Sequence, residues 1–205
     1  MAVRIGNNDE RAFKRLANAG YYLALRVGFL LPLAERNTMP LAWIDRYTRA
    51  GYFIHDPVIR WVFTSLGVTR WSKIDLPDPR GVIRNAAEYG LRYGLAISCP
   101  PVKNSNQRSF ATFARSDREF TDPEIDELQQ RFSALHVAAM PPANLTRAEL
   151  EALAMMREGF LLKEIAGHLG VTEGAIKQRI RSAKKKLNAR TASQAVSSVA
   201  EFHLI

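Results

Sequence analysis

Two consecutive prolines, Pro141 and Pro142, interrupt the chain before its last third. Proline fixes its own φ angle, lacks a backbone N–H and disfavours helix at the preceding residue, so no helix continues through this pair. The short polar segment that follows suits a hinge. We therefore predict two domains, at 1–140 and 145–205, with a linker at 141–144. An apolar content of 47% in 205 residues is enough for two small cores.

The first domain combines helical spacing with runs of β-forming residues. Strands are predicted within 21–33 (one or two), at 94–99 and at 109–115, the last two flanking a polar turn at 104–106. Helices are predicted at 8–18, 40–50, 57–66 and 122–137. Helices around an antiparallel sheet give an α+β fold, which we expect to be an α/β/α sandwich.

The second domain has helical patterns only. Thr146 and Glu149 have the spacing of a capping box at the start of a helix that Gly159 ends. Further helices are predicted at 162–169, 173–187 and 193–202, and Thr172 is the expected cap of the third. A short helix, a turn and a capped helix at 162–187 indicate a helix-turn-helix within a four-helix domain.

The third helix of this domain is strongly basic, in a chain whose formal net charge is +9. Residues near the start of a recognition helix meet base edges, which makes Lys177 and Arg181 the candidates for base contacts. The remaining cations are assigned to the phosphate backbone: Arg179, Lys184, Lys185 and Lys186. The cap, Thr172, is counted with the predicted DNA-binding residues. A basic helix alone can equally be a solvated face. The turn, the cap and the preceding helix favour DNA binding.

Several classes of protein are disfavoured. A single cysteine, Cys99, and four scattered histidines predict a buried thiol, no internal disulfide and no metal site. The longest apolar stretch, at 21–33, is too short to span a membrane and lacks a signal-peptide layout, so we expect a soluble, cytoplasmic protein without a membrane partner. No nucleophile–base pair or phosphate-binding loop is evident, and we predict neither an enzyme nor a cofactor.

The second domain resembles the DNA-binding domain of LuxR-type regulators. The resemblance rests on the segments Leu145-Thr146-Arg147-Ala148-Glu149, Glu164-Ile165-Ala166 and Leu169-Gly170-Val171-Thr172, together with Leu153, Gly159, Ala183 and Lys186-Leu187. It implies that Glu149, Leu153 and Gly159 occupy structural hallmark positions. It also implies that Lys177 and Arg181 occupy the base-contacting ones. One departure is Met155-Met156, where the family often has an aromatic residue.

The first domain is similar to the autoinducer-binding domain of the same family. Six residues match its hallmark positions: Trp43, Tyr47, Asp56, Pro57, Trp71 and Gly94. The resemblance implies an N-acyl homoserine lactone as effector. It implies that Asp56 accepts the ligand amide N–H, that Trp43 donates to the lactone carbonyl, and that Tyr47 and Trp71 form walls. A receiver domain, the alternative, needs an alternating α/β pattern with an acidic pocket, which this sequence lacks.

Two departures qualify this resemblance. The family usually has a tyrosine four residues before the hallmark tryptophan, where this chain has Met39; Thr112 is the candidate to supply the missing ligand contact. The amino-terminal segment is also shorter than usual. Asp56 before Pro57 fits a helix cap as well as a ligand contact, and the three aromatic residues also suit an ordinary core.

The resulting hypothesis is a quorum-sensing regulator whose filled first domain favours a homodimer on a palindromic operator, with RNA polymerase as a candidate further partner. Three alternatives stay open. The first is a regulator that answers a foreign lactone, a different molecule or none. The second is an interaction protein that pairs with a full-length relative and blocks it. The third, an enzyme, has the least support.

Overall fold

The computed structural model describes residues 5–27, 32–101, 107–139, 144–202 and 204–205. These residues form two compact units, one ending at Ala139 and the other containing the described residues from Asn144 onward. The predicted linker, except for Asn144, and the predicted polar turn at 104–106 lie outside the described residues. Each unit is described by itself.

The first unit is built on a five-stranded antiparallel sheet. Its strands are β1 (Gly20–Val27), β2 (Ala34–Asn37), β3 (Gly67–Arg70), β4 (Tyr93–Cys99) and β5 (Arg108–Arg115), in the order β2-β1-β5-β4-β3. In the register, Thr112 of the central strand β5 lies between Tyr22 of β1 and Ala96 of β4. Alternate residues of each strand face opposite sides, so these three residues share one face of the sheet.

Five helices cover the two faces of this sheet. They are α1 (Asn7–Leu16), α2 (Leu41–Arg49), α3 (Pro57–Thr64), α4 (Val82–Glu88) and α5 (Asp122–Ala138). Helices α1 and α5 pack on one face, where Phe13, Tyr21 and Phe113 form an aromatic cluster. Helices α2, α3 and α4 share a core with the opposite face. The predicted α/β/α sandwich is confirmed.

Three elements of this unit were not predicted from the sequence. Strand β2 is an exposed edge strand without apolar alternation, and β3 has only four residues. Helix α4 is short, and the residue that caps it, Asp78, lies before the N-cap position, Gly81. Asp78 accepts hydrogen bonds from the backbone N–H groups of Val82 (2.7 Å) and Ile83 (3.0 Å). Such elements carry too little periodic signal to be recognised in a single sequence.

The second unit consists of α6 (Arg147–Arg157), α7 (Leu162–His168), α8 (Glu173–Lys186) and α9 (Ala192–Glu201). Thr146, Thr172 and Thr191 cap α6, α8 and α9 through their hydroxyl oxygens. Gly159 follows α6 with a φ of +94°, a conformation that favours glycine. Two groups of buried apolar side chains hold the four helices together. The predicted four-helix domain with a helix-turn-helix is confirmed.

Glu149 joins two helices of this unit. Its Oε2 accepts a hydrogen bond from the backbone N–H of Thr146 (2.8 Å), which completes the predicted capping box. The same carboxylate accepts from Lys186 Nζ (2.8 Å) and the Ser182 hydroxyl (2.6 Å) of α8. Burial alone would raise the pKa of Glu149, but the hydrogen bonds from Lys186, Ser182 and Thr146 outweigh it and lower the pKa to about 2.

This pKa predicts acid sensitivity of the second unit. The pKa of Glu149 is lower in the folded state than its ordinary value of 4.5, so the ionised carboxylate stabilises the fold. This contribution to the free energy of unfolding, about 3 kcal/mol, is present above pH 4.5 and is lost as the pH falls to 2. Urea unfolding followed by far-UV circular dichroism should show that Glu149→Gln is less stable than the native chain at pH 7. A stability difference that does not shrink towards pH 2 would contradict this assignment.

Helix α7 lacks a capping side chain at its start. Leu161 occupies the N-cap position and is 68% exposed, while Glu164 accepts the Leu161 backbone N–H at 2.7 Å. Because a serine oxygen accepts an orphan N–H that leucine leaves open, we expect Leu161→Ser to raise the free energy of unfolding by about 1 kcal/mol. Urea unfolding measures this change. Leu161→Ala is the control and should give no such gain.

Candidate ligand pocket and nucleic-acid interface

A cavity of about 310 Å³ lies between the sheet and helices α2, α3 and α4 of the first unit. Five of the seven residues predicted to bind ligand line it: Trp43, Tyr47, Asp56, Trp71 and Thr112. Pro57 and Gly94 are buried beside it and are not among the lining residues. The remaining lining is mostly apolar, which suits a small, largely apolar ligand with a few fixed polar contacts.

Asp56 is the buried charge of this cavity, with 8% of its surface exposed. Its Oδ1 accepts the backbone N–H of Val58 (2.7 Å), so it caps α3, and its Oδ2 accepts the hydroxyl of Tyr47 (2.8 Å). Burial raises the pKa of Asp56, against the lowering effect of these hydrogen bonds. Asp56 therefore caps α3 as expected and also lines the cavity. Each oxygen keeps a further acceptor site.

Tyr47 has a more polar environment than the predicted wall. Its ring packs edge-on against Trp43, with ring centroids 5.5 Å apart, while its hydroxyl donates to Asp56. Burial, followed by the charge of Asp56, raises the pKa of Tyr47. The phenol therefore stays protonated and fixes the orientation of the carboxylate.

Trp43 lies on α2 within an aromatic group that also contains Tyr47, Tyr52 and Tyr89. Within the described part of the chain, no residue accepts a hydrogen bond from its indole N–H. A buried indole usually finds an acceptor. Trp43 therefore offers an unused donor to the cavity that the carboxylate of Asp56 also lines.

Trp71 and Thr112 form a polar pair on the floor of the cavity. The Trp71 indole N–H donates to Thr112 Oγ1 at 3.1 Å, which leaves the threonine O–H free to donate elsewhere. Gly94 lies directly under the Trp71 ring: a Cβ atom at Gly94 would be 1.8 Å from Trp71 Cδ2. The absence of a side chain at Gly94 thus makes room for this indole, and Gly94 acts by positioning Trp71.

Sequence reasoning missed the side of the cavity formed by β1 and β2. Tyr22, Glu35 and Asn37 line it, and the Tyr22 hydroxyl donates to Glu35 Oε2 at 2.9 Å. Burial, and then the hydrogen bond to Glu35, raises the pKa of Tyr22. The sequence did not predict strand β2, and only the pairing of β2 with β1 brings Glu35 to the cavity.

The basic residues of α8 lie around a helix whose other side is packed. Ile176, Ile180 and Ala183 are buried against the other helices. Lys177, Arg181 and Lys185 are exposed, and Arg179 and Lys184 are half-buried. Lys177 forms a 2.7 Å ion pair with Glu173, one turn earlier on the exposed surface. Thr172 caps the helix, with its Oγ1 accepting from the Ala175 N–H (3.2 Å).

Lys186 was predicted to contact phosphate, but its side chain is bound to residues of its own unit. Its ammonium binds both oxygens of Glu149 (2.8 and 2.9 Å) and the carbonyl oxygen of Asn144 (2.7 Å). Its three donor protons are thereby matched by three acceptors within the unit. Lys186 therefore stabilises the fold, and we remove it from the set of DNA contacts.

Other potential sites are limited. Cys99 is a buried free thiol, as predicted. No three His, Cys, Asp or Glu side chains in the described ranges are grouped so that they could hold a metal ion. Among the described helices, none combines the length and apolar character that a membrane crossing requires.

Comparison with protein families agrees with both units. Residues 32–140 match the family model described as autoinducer binding domain, and residues 143–199 match that of bacterial regulatory proteins, luxR family. The chain belongs to the LuxR family. It is a quorum-sensing transcriptional regulator with an autoinducer-binding domain and a DNA-binding helix-turn-helix domain, as the resemblance in its sequence implied.

Individual relatives of this LuxR-family chain are distant. It is 28% identical over 175 residues to the transcriptional activator RaiR of Rhizobium etli, which covers 77% of this chain and 71% of RaiR. It is 26% identical to the quorum-sensing regulator RhlR of Pseudomonas aeruginosa, over 96% of this chain and 87% of RhlR. Escherichia coli SdiA is a similar solved structure, with a TM-score of 0.52 and 25% identity over 97% of this chain and 89% of SdiA.

Proposed function

We propose that this LuxR-family regulator binds an N-acyl homoserine lactone in the cavity of its first unit and, in response, binds operator DNA as a homodimer. The observation that carries the proposal is the buried carboxylate of Asp56 in the wall of an aromatic cavity that Trp43, with its unused indole N–H, also lines. An acceptor and a donor in one cavity match the amide N–H and the lactone carbonyl of such a signal.

The polar head of the lactone is assigned to three residues. Asp56 accepts the amide N–H, and Trp43 donates to the lactone carbonyl. Thr112 donates to the amide carbonyl, because its oxygen already accepts from Trp71 and its proton is free. Thr112 thus replaces the tyrosine that is absent at Met39, a residue that also lines the cavity. Tyr47 and Trp71 contribute ring surfaces, while Pro57 and Gly94 act indirectly by fixing α3 and Trp71.

The DNA interface is assigned to the exposed side of α8. Lys177 and Arg181, one turn apart, contact base edges, while Thr172, Arg179, Lys184 and Lys185 contact phosphates. A homodimer presents two such helices to half-sites about one helical turn apart, which predicts a roughly palindromic operator. Binding of ligand to the folded first unit stabilises it by about 2.7 kcal/mol at a hundredfold excess over the dissociation constant.

Asp56→Asn tests the ligand site. The amide of asparagine can still cap α3 but presents N–H groups where the carboxylate accepted them, so we expect at least a tenfold loss of lactone affinity. Isothermal titration with N-octanoyl homoserine lactone measures this. Asp78→Asn is the matched control, since Asp78 caps α4 and is absent from the described lining. Equal losses in the two variants would count against the proposal.

Met39 favours one further candidate, a regulator that answers a different small signal. The side chain of Met39 lines the cavity without a polar group at the position where the family usually has a tyrosine hydroxyl. Thermal melts with a panel of acyl lactones decide between the two, because a true effector must raise the melting midpoint. Gel shifts on promoter DNA with the same panel show whether DNA binding follows.

A further inference from the structure

The cavity carries two carboxylates and no balancing cation. Asp56 lies at one wall, and Glu35 lines the side formed by the edge strand β2. None of the described lining residues is a lysine, arginine or histidine. An acidic cavity in a chain of net charge +9 favours donor-bearing ligands and disfavours anionic ones.

Glu35 is only partly used by the protein. Its Oε2 accepts the Tyr22 hydroxyl at 2.9 Å, and the described residues provide no partner for its Oε1. Once it has donated its proton, the Tyr22 oxygen can also accept a hydrogen bond. Two acceptors therefore meet at this side of the cavity, and no free donor of the pair remains.

The sheet register places Glu35, the acceptor of this pair, away from the polar head. Thr112 lies directly opposite Tyr22 of β1. Glu35 lies on β2, two strands from Thr112, and is opposite Ala24, two residues further along β1 than Tyr22. Strand spacing and rise give a separation on the order of 10 Å between the backbones of Thr112 and Glu35. An acyl chain of about eight carbons that leaves the head at Asp56 and Thr112 spans this distance.

We infer that Tyr22 and Glu35 form a second polar subsite, which selects signals whose acyl tail carries a hydrogen-bond donor, a hydroxyl or an amine, near its far end. The inference rests on the proposed function, since it assumes that the amide head lies at Asp56. Glu35 is exposed at the edge of the cavity, where a donor at the tail end can form a charge-assisted hydrogen bond with its carboxylate, whereas a methyl end offers it none.

The test uses the full chain and four N-acyl homoserine lactones that share the octanoyl chain and differ in its end group: octanoyl, omega-hydroxyoctanoyl, omega-methoxyoctanoyl and omega-carboxyoctanoyl. Isothermal titration should give about tenfold tighter binding of the hydroxyl form than of the octanoyl form. The methoxy and carboxylate forms should bind no more tightly than octanoyl, because one lacks a donor and the other is repelled by Glu35.

Variants assign the preference to the pair. In Glu35→Leu, the affinities for the hydroxyl and octanoyl forms should differ by no more than about twofold. Tyr22→Phe keeps the ring and should reduce the preference for the hydroxyl form. Glu88→Leu, an exposed site outside the described lining, should keep it and is the matched control. If the lactones bind but the hydroxyl form has no advantage, this inference is wrong and the proposed function stands. If none of the four binds, both are wrong.

Discussion

Gly94→Ala should lower the free energy of unfolding of the first unit by about 3 kcal/mol, and its melting midpoint by about 10 °C. The added Cβ would lie 1.8, 2.1 and 2.3 Å from three atoms of the Trp71 ring, far inside van der Waals contact. Gly94 is buried near the start of β4, where it pairs with Ala114 of β5, and the next residue, Leu95, is paired with β3 as well, so the ring must move rather than the backbone. Differential scanning calorimetry measures the change.

Two variants separate this clash from a general effect of alanine. Gly6→Ala adds a Cβ atom whose nearest contact is Asp9 at 3.8 Å, and should change stability by no more than about 0.5 kcal/mol. Trp71→Leu removes the opposing ring. In a chain that carries Trp71→Leu, Gly94→Ala should therefore lower the free energy of unfolding much less than it does in the native chain. Additive losses in the double variant would show that the clash with Trp71 is not the cause.

The polar head of the candidate site was predictable because its residues lie in strong local patterns. Asp56 precedes a proline that begins a helix, and Trp43 lies on a helix with clear apolar spacing. Their joint spacing also carried the resemblance to a known domain. The capping and ligand interpretations of Asp56 looked exclusive in the sequence, yet its two oxygens allow one to cap α3 while the other faces Tyr47.

The far side of the cavity was not predictable from the sequence for a physical reason. Glu35 lies on a four-residue exposed strand, and its approach to Tyr22 is a property of the β1–β2 register rather than of either segment. Lys186 gives the same lesson in the second unit. In sequence it is one more cation of a basic run, and only the packing of α6 against α8 shows that it pairs with Glu149.

Arg181→Ala should weaken operator binding at physiological salt by at least about 30-fold while leaving the fold and lactone binding intact. Arg181 is exposed on α8, and no described residue forms an ion pair with it, so its removal leaves no buried partner unsatisfied. A base contact contributes about 1 to 3 kcal/mol, and a homodimer loses it twice, which predicts a loss of affinity of about 30-fold to about 25,000-fold. Fluorescence anisotropy with labelled operator DNA measures it.

Variants of Arg181, Lys185 and Lys186 separate sequence-specific base contacts from general electrostatic attraction to DNA. Lys185→Ala removes a proposed phosphate contact, so it should weaken binding to operator and random DNA alike and reduce the salt dependence of both. Arg181→Ala should instead reduce the preference for operator over random DNA. Lys186→Met should lower the stability of the second unit, because it leaves Glu149 buried without its cation. If Arg181→Ala weakens operator and random DNA equally, Arg181 contacts the backbone and the base-reading role proposed for it is wrong.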